Sequence, residues 1–149
     1  MYLSKGEEAT RYILEKVDNI SKTKLIKLLF LADRSFLKTN KADLSITGFR
    51  YVRYFYGPYS VEIEDVVGSL SIKGLIEYRK HITPKDEVYL ISKTDKKVKF
   101  EHLKEEEKKT LAKIAEEFGS KSLPEILDKI YDLDEVKRAE FGDEITFSI

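Results

Sequence analysis

Residues 25–33, LIKLLFLAD, place the strongest constraint on how this chain can fold. Seven of the nine are apolar, and at about 3.6 residues per turn they point all the way round a helix. A helix with no polar face has to be covered on most sides. The rest of the chain must therefore be built around it. The pattern predicts a central helix over residues 22–38, with Ser21 or Thr23 available to cap its start.

The flanking sequence supplies elements that can do the covering. Ala9, Tyr12, Ile13, Val17 and Ile20 recur at helical spacing and predict an amphipathic helix over 7–20. A polar loop over 40–48 ends in Thr47-Gly48. Residues 49–56 are aromatic and β-branched, which predicts a strand broken by Gly57-Pro58. Ser60 is then placed to cap a third helix whose core face is Ile63, Val66, Val67 and Leu70, and which Gly74 ends. Two β-type runs, 75–82 and 87–92, flank Thr83-Pro84-Lys85-Asp86 and predict a hairpin. A linker carrying Lys93, Lys96, Lys97 and Lys99 leads to a helix over 103–118, closed by Gly119. Ser122-Leu123-Pro124-Glu125 is a capping box with proline in the first turn, and it opens a fifth helix. The expected architecture is one mainly helical α+β domain spanning 1–149. It carries a small antiparallel sheet containing a winged-helix-like hairpin, and helices in 103–140 pack on the rest.

Charge and composition narrow the function classes. Lys plus Arg and Asp plus Glu each number 27, so no global field drives the chain onto nucleic acid. The distribution is uneven: residues 1–60 carry 11 cations and 6 anions, whereas 101–149 carry 8 and 14. A basic front and an acidic rear can attract each other or different partners. Cysteine is absent, which removes disulfides and thiolate chemistry. No apolar run approaches the length of a membrane span, so a soluble cytoplasmic domain is expected. Glutamine is absent and asparagine occurs only at Asn19 and Asn40, a bias resembling heat-adapted proteomes.

Catalytic signatures are missing. His81 and His102 lack a second ligand at metal spacing, and the seven glycines form no phosphate loop. Glu62, Glu64 and Asp65 are explained by the helix start that follows Ser60. Asp33, just past the apolar run, reads as a partly buried acid without a visible catalytic partner. No enzyme activity, metal or cofactor is expected.

Residues 60–92 follow the rhythm of a recognition helix and wing, which raises DNA binding as an alternative. Arg79, Lys80 and Lys85 on the hairpin and Lys96 and Lys97 in the linker are the candidate phosphate contacts. The acids at the start of that helix oppose this reading, because phosphates would be repelled there.

The stretch 51–60, YVRYFYGPYS, is half aromatic and contains Arg53, with Arg50 just before it. In a strand, Phe49, Tyr51, Arg53 and Phe55 face one way, and Arg50, Val52, Tyr54 and Tyr56 the other. Each face holds an arginine, so neither is a plain core face. Tyr and Arg are enriched at interface hot spots. Arg50, Arg53, Tyr54, Tyr56 and Tyr59 are therefore the candidate partner-binding residues, with Gly57 and Pro58 setting the turn. Stacking of nucleobases on these tyrosines is the nucleic-acid version of the same surface.

The run Lys24 to Asp33, KLIKLLFLAD, followed by Tyr56-Gly57-Pro58 and a helix, resembles the Panacea (SocA-like) antitoxin family. Members typically carry a buried helix reading K-L-x-K-L-L-[YF]-x-A-D and an aromatic strand ending in Tyr-Gly-Pro. The motif match is strongest over 7–80. The resemblance implies a protein that neutralises a toxin encoded beside it by direct contact, or one acting in a phage-associated or regulatory setting. Many members carry a histidine after a Ser-x-x-Glu cap; here the cap is Ser122 to Glu125, and Ile130 and Tyr131 occupy the following turn.

Overall fold

The structure, a computed structural model, describes residues 2–147; positions 1, 148 and 149, the ends of the expected domain, lie outside the described residues. It is an α+β fold with one continuous apolar core. Helix α1 (Lys5–Lys16) is followed by the two-residue strand β1 (Ile20–Ser21) and the long helix α2 (Lys22–Asn40). Strands β2 (Val52–Tyr54) and β3 (Gly57–Tyr59) form a short hairpin before α3 (Val61–Ile72). A second hairpin, β4 (Ile76–Ile82) and β5 (Glu87–Lys93), precedes α4 (Glu105–Phe118), α5 (Leu123–Tyr131) and the short α6 (Asp134–Arg138).

Helix α2 is the centre, as its apolar circumference requires. Every residue from Leu25 to Asp33 is buried. Ser21 caps its start by accepting a hydrogen bond from the Lys24 amide at 3.1 Å. Helices α1, α4 and α5 and strand β3 pack around it.

The first helix differs from the expected 7–20. It begins earlier because Ser4 and Glu7 form a capping box, each side chain accepting the other's amide. It ends at Lys16 because Asn19 takes a left-handed φ of 60° and Ile20 is drawn into pairing with Ile91 of β5. The apolar spacing of Ile20 is real, but a sheet buries it rather than a helix face.

The expected strand over 49–56 is also revised. It is a hairpin in which Val52, Arg53 and Tyr54 pair with Tyr59, Pro58 and Gly57. Gly57-Pro58 lies inside the second strand and does not end the first. Gly57 adopts φ of 81°, which follows the reversal at Phe55-Tyr56 at no steric cost to glycine. On its other side β2 meets the C-terminal segment: Arg53 donates its amide to the Asp143 carbonyl at 2.9 Å, and Ile145 donates to the Tyr51 carbonyl at 2.7 Å.

Ser60 stands at the start of α3, but its hydroxyl makes no capping bond and is buried without a partner. Gly119 closes α4 in the ordinary right-handed conformation; its requirement is space, since a Cβ would sit 2.6 Å from Val17 Cγ2. The Ser122–Glu125 capping box forms as expected. The second hairpin is nearly as expected, and β5 lies between β1 and β4 in an antiparallel sheet.

Candidate interaction site

The two faces expected for the aromatic stretch behave differently once α2 and the C-terminal segment are in place. Tyr51 points inward. Its ring meets Phe30 edge-on at 5.1 Å and its hydroxyl donates to Asp33 Oδ2 at 2.8 Å. Asp33 is fully buried, rather than partly buried as expected, and also accepts from the Thr47 amide at 3.0 Å and the Thr47 hydroxyl at 2.5 Å. Burial pushes its carboxyl up to about 6, while the Thr47 and Tyr51 hydrogen bonds pull the other way. Asp33 is a bolt between the central helix and the strand, and it lines none of the five principal surface clefts among the described residues.

Arg53 is engaged within the fold. Its guanidinium donates to the Val136 and Ala139 carbonyls at 3.0 and 2.7 Å and lies over the Tyr131 ring at 5.6 Å. Arg53→Ala should lower stability by about 1–3 kcal/mol, read as a shift in urea midpoint, because two carbonyls lose a charged donor. Arg50 is exposed and pairs with Glu144 at 2.8 Å.

The outward residues gather into a surface. Tyr54, Phe55 and Tyr56 are exposed, Phe55 to 82%. Tyr59, half-buried, lies tilted against Tyr54 with ring centroids 5.5 Å apart. Phe141, arriving from the C-terminal segment, packs against Phe55 at 4.8 Å and Tyr54 at 5.7 Å. The sequence carried no signal for that meeting, because Phe141 lies in a polar segment far along the chain. Between these rings and α2 opens a mainly apolar cleft of about 360 Å³.

Lys27, the second lysine of the Lys24–Asp33 motif, is part of that cleft, a role that its place as a cation within an apolar run does not by itself announce. It is only 2% exposed and donates to the Pro58 carbonyl at 2.8 Å, tying β3 to α2. Burial pushes its ammonium down to about 8. Because the folded-state value lies below the usual 10.5, the stability linked to this group is full above 10.5 and lost as pH falls through 8. Lys27→Met should therefore be more stable than the parent at pH 7 by about 2 kcal/mol, after allowing for the lost Pro58 bond. The gap should close as pH rises from 8 towards 10.5, when urea midpoints of the two are compared.

The cations expected for phosphates are partly neutralised. Arg79 pairs with Glu77 at 2.8 Å and Lys80 with Glu87 at 3.1 Å. Lys96 donates to the Lys73 carbonyl at 3.1 Å, while Lys85 and Lys97 are exposed. On α3, Glu62 accepts the Arg50 amide and Glu64 pairs with Lys22 at 2.5 Å. Among the described residues no group of three or more His, Cys, Asp or Glu could hold a metal, and no helix is long and apolar enough to cross a membrane.

A buried helix bolted to an aromatic hairpin and surrounded by amphipathic helices defines a small α+β domain whose prominent feature is an exposed aromatic patch beside an apolar cleft. The chain belongs to the family described as antitoxin SocA-like, Panacea domain, whose model it matches over residues 25–135. The match starts later than the motif-based span of 7–80 and takes in α4 and α5. No curated protein and no solved structure matches the chain.

Proposed function

We propose that this protein is a non-catalytic, antitoxin-type or regulatory module of the cytoplasm that binds and controls a partner protein through the aromatic hairpin. The partner in this reading is a toxin encoded nearby. The observation that carries it is the meeting of Tyr54, Phe55, Tyr56 and Phe141 on one exposed face beside an apolar cleft. Exposed aromatic clusters of this kind are typical of protein contacts. Family membership supports the same class. Tyr54, Tyr56 and Tyr59 contact the partner directly, while Arg50 and Arg53 frame the surface from its edges.

The test is a nuclease-treated pull-down from the native host. One stoichiometric protein partner is expected. The double variant Phe55→Ala/Tyr56→Ala should weaken that complex by ten-fold or more, and its unfolding free energy should stay within about 0.5 kcal/mol of the parent, since both side chains are exposed. An unchanged complex would remove the hairpin from the interface.

A second reading rests on topology. The order α1-β1-α2-β2-β3-α3-β4-β5, with β5 between β1 and β4, resembles that of a winged helix with an extra hairpin between α2 and α3. As a DNA binder the protein would use Lys85, Lys97 and the wing. Its binding would weaken steeply with added salt. The carboxylates Glu62, Glu64 and Asp65 at the start of α3 work against this reading.

A further inference from the structure

We propose that the cleft beside Lys27 receives an acidic side chain carried on an aromatic segment of a partner protein, with Lys27 as the counter-ion. This deepens the partner-binding reading and rests on it. Three observations converge. First, the cleft of about 360 Å³ is walled by Tyr54, Phe55, Tyr56 and Phe141, which suit an aromatic body. Second, Lys27, nearly fully buried at its wall, has a single acceptor, the Pro58 carbonyl. An ammonium has three donors, and a buried one is costly without an anion beside it. Burial lowers the pKa of Lys27, and among the described residues no carboxylate offsets it. Third, the first turns of α2 carry Lys22, Lys24 and Lys27 and no acidic residue in the first turn, at the helix end where the dipole already favours anions. Lys22 is answered by Glu64, and Lys24 donates to the Gly119 carbonyl. Lys24 and Lys27 thus each meet a neutral carbonyl and no carboxylate among the described residues, and of the two Lys27 is the buried one, at the wall of the cleft. A carboxylate entering from the aromatic side restores that balance, and its aromatic neighbours cover the rings that the fold leaves in water.

The other principal clefts among the described residues already hold acid: Glu62 and Glu144 near Arg50, Glu87 near the second hairpin, Glu8 with Glu101 beside Lys96, and Glu106 beside Lys109. An acidic segment is therefore directed to the Lys27 cleft by charge as well as by shape.

Two blocked tripeptides, N-acetyl-Phe-Asp-Phe-amide and its Asn counterpart, test this by amide NMR titration of the full chain. The Asp peptide should shift resonances of residues 22–27 and 54–59 and bind at least about ten-fold more tightly than the Asn peptide. Lys27→Met should abolish that preference, and Phe55→Ala should weaken both peptides while keeping it. Equal affinities in the parent chain, shifts elsewhere, or no binding at millimolar peptide would overturn the proposal, whatever the folding of the Lys27 variant. A third probe, 3-phenylpropionate, separates sources: a site that takes it and rejects both peptides is a small-acid pocket, and the docking proposal fails. The peptides probe the cleft without the partner. The pull-down probes the partner through Phe55 and Tyr56, so the two readings can fail separately.

Discussion

Replacing Asp33 by alanine is expected to lower the unfolding free energy by about 3–5 kcal/mol. The substitution leaves the Tyr51 hydroxyl, the Thr47 hydroxyl and the Thr47 amide facing the place the carboxylate occupied. Tyr51 is buried, so water cannot replace its lost acceptor without opening the core. Each buried donor left unpaired costs about 1–3 kcal/mol. The loss also frees the loop before β2 from the central helix, so the aromatic hairpin should loosen with it. Urea unfolding monitored by far-UV circular dichroism measures this; a loss below about 1 kcal/mol would show that the three donors find other acceptors. The pH dependence carries a sign. The Asp33 carboxyl sits at about 6, above its ordinary 3.8, so its linked stability is full below 3.8 and lost as pH rises through 6. The parent's advantage over Asp33→Asn should thus be about 2 kcal/mol greater at pH 4.5 than at pH 7.

Leu29→Ala is expected to cost about 2–5 kcal/mol. Leu29 is fully buried in the middle of α2, among Leu25, Leu28 and Phe30 of the same core. Truncation removes one methine and two methyl carbons from apolar contact and leaves a cavity that helices packed on several sides cannot easily close. Two-state unfolding with an unchanged urea dependence is the expected form of the loss. A cost below about 1 kcal/mol would mean that α2 is not the pillar its burial implies.

The same buried helix carries both roles. Its apolar residues hold the fold together, while Asp33 and Lys27 place the hairpin: one bonds Tyr51, the other the carbonyl of Pro58. Asp33 is met by three donors. Among the described residues Lys27 is met by one carbonyl and no anion, and it sits where the exposed aromatics gather. Such a buried cation is a candidate functional group, which is why the peptide titration is aimed at it.

Much of this was legible in the chain order. The circumference of LIKLLFLAD required a buried central helix, and the capping box at Ser122 placed α5 to the residue, because periodicity and capping involve groups three or four positions apart. The second hairpin followed from its turn residues for the same local reason. What covers each side chain is another matter. Gly57-Pro58 reads as a strand terminator, yet it pairs with Tyr54 and Arg53 because β2 folds back at Phe55-Tyr56. Arg53 also has acceptors within the fold, 83 and 86 positions away, that no local pattern announces. Phe141 joins Phe55 only because the C-terminal segment runs alongside β2. Local order follows from short-range sterics and hydrogen bonds, whereas the surface follows from which distant segment closes over the core, and that is settled by the packing of the whole chain.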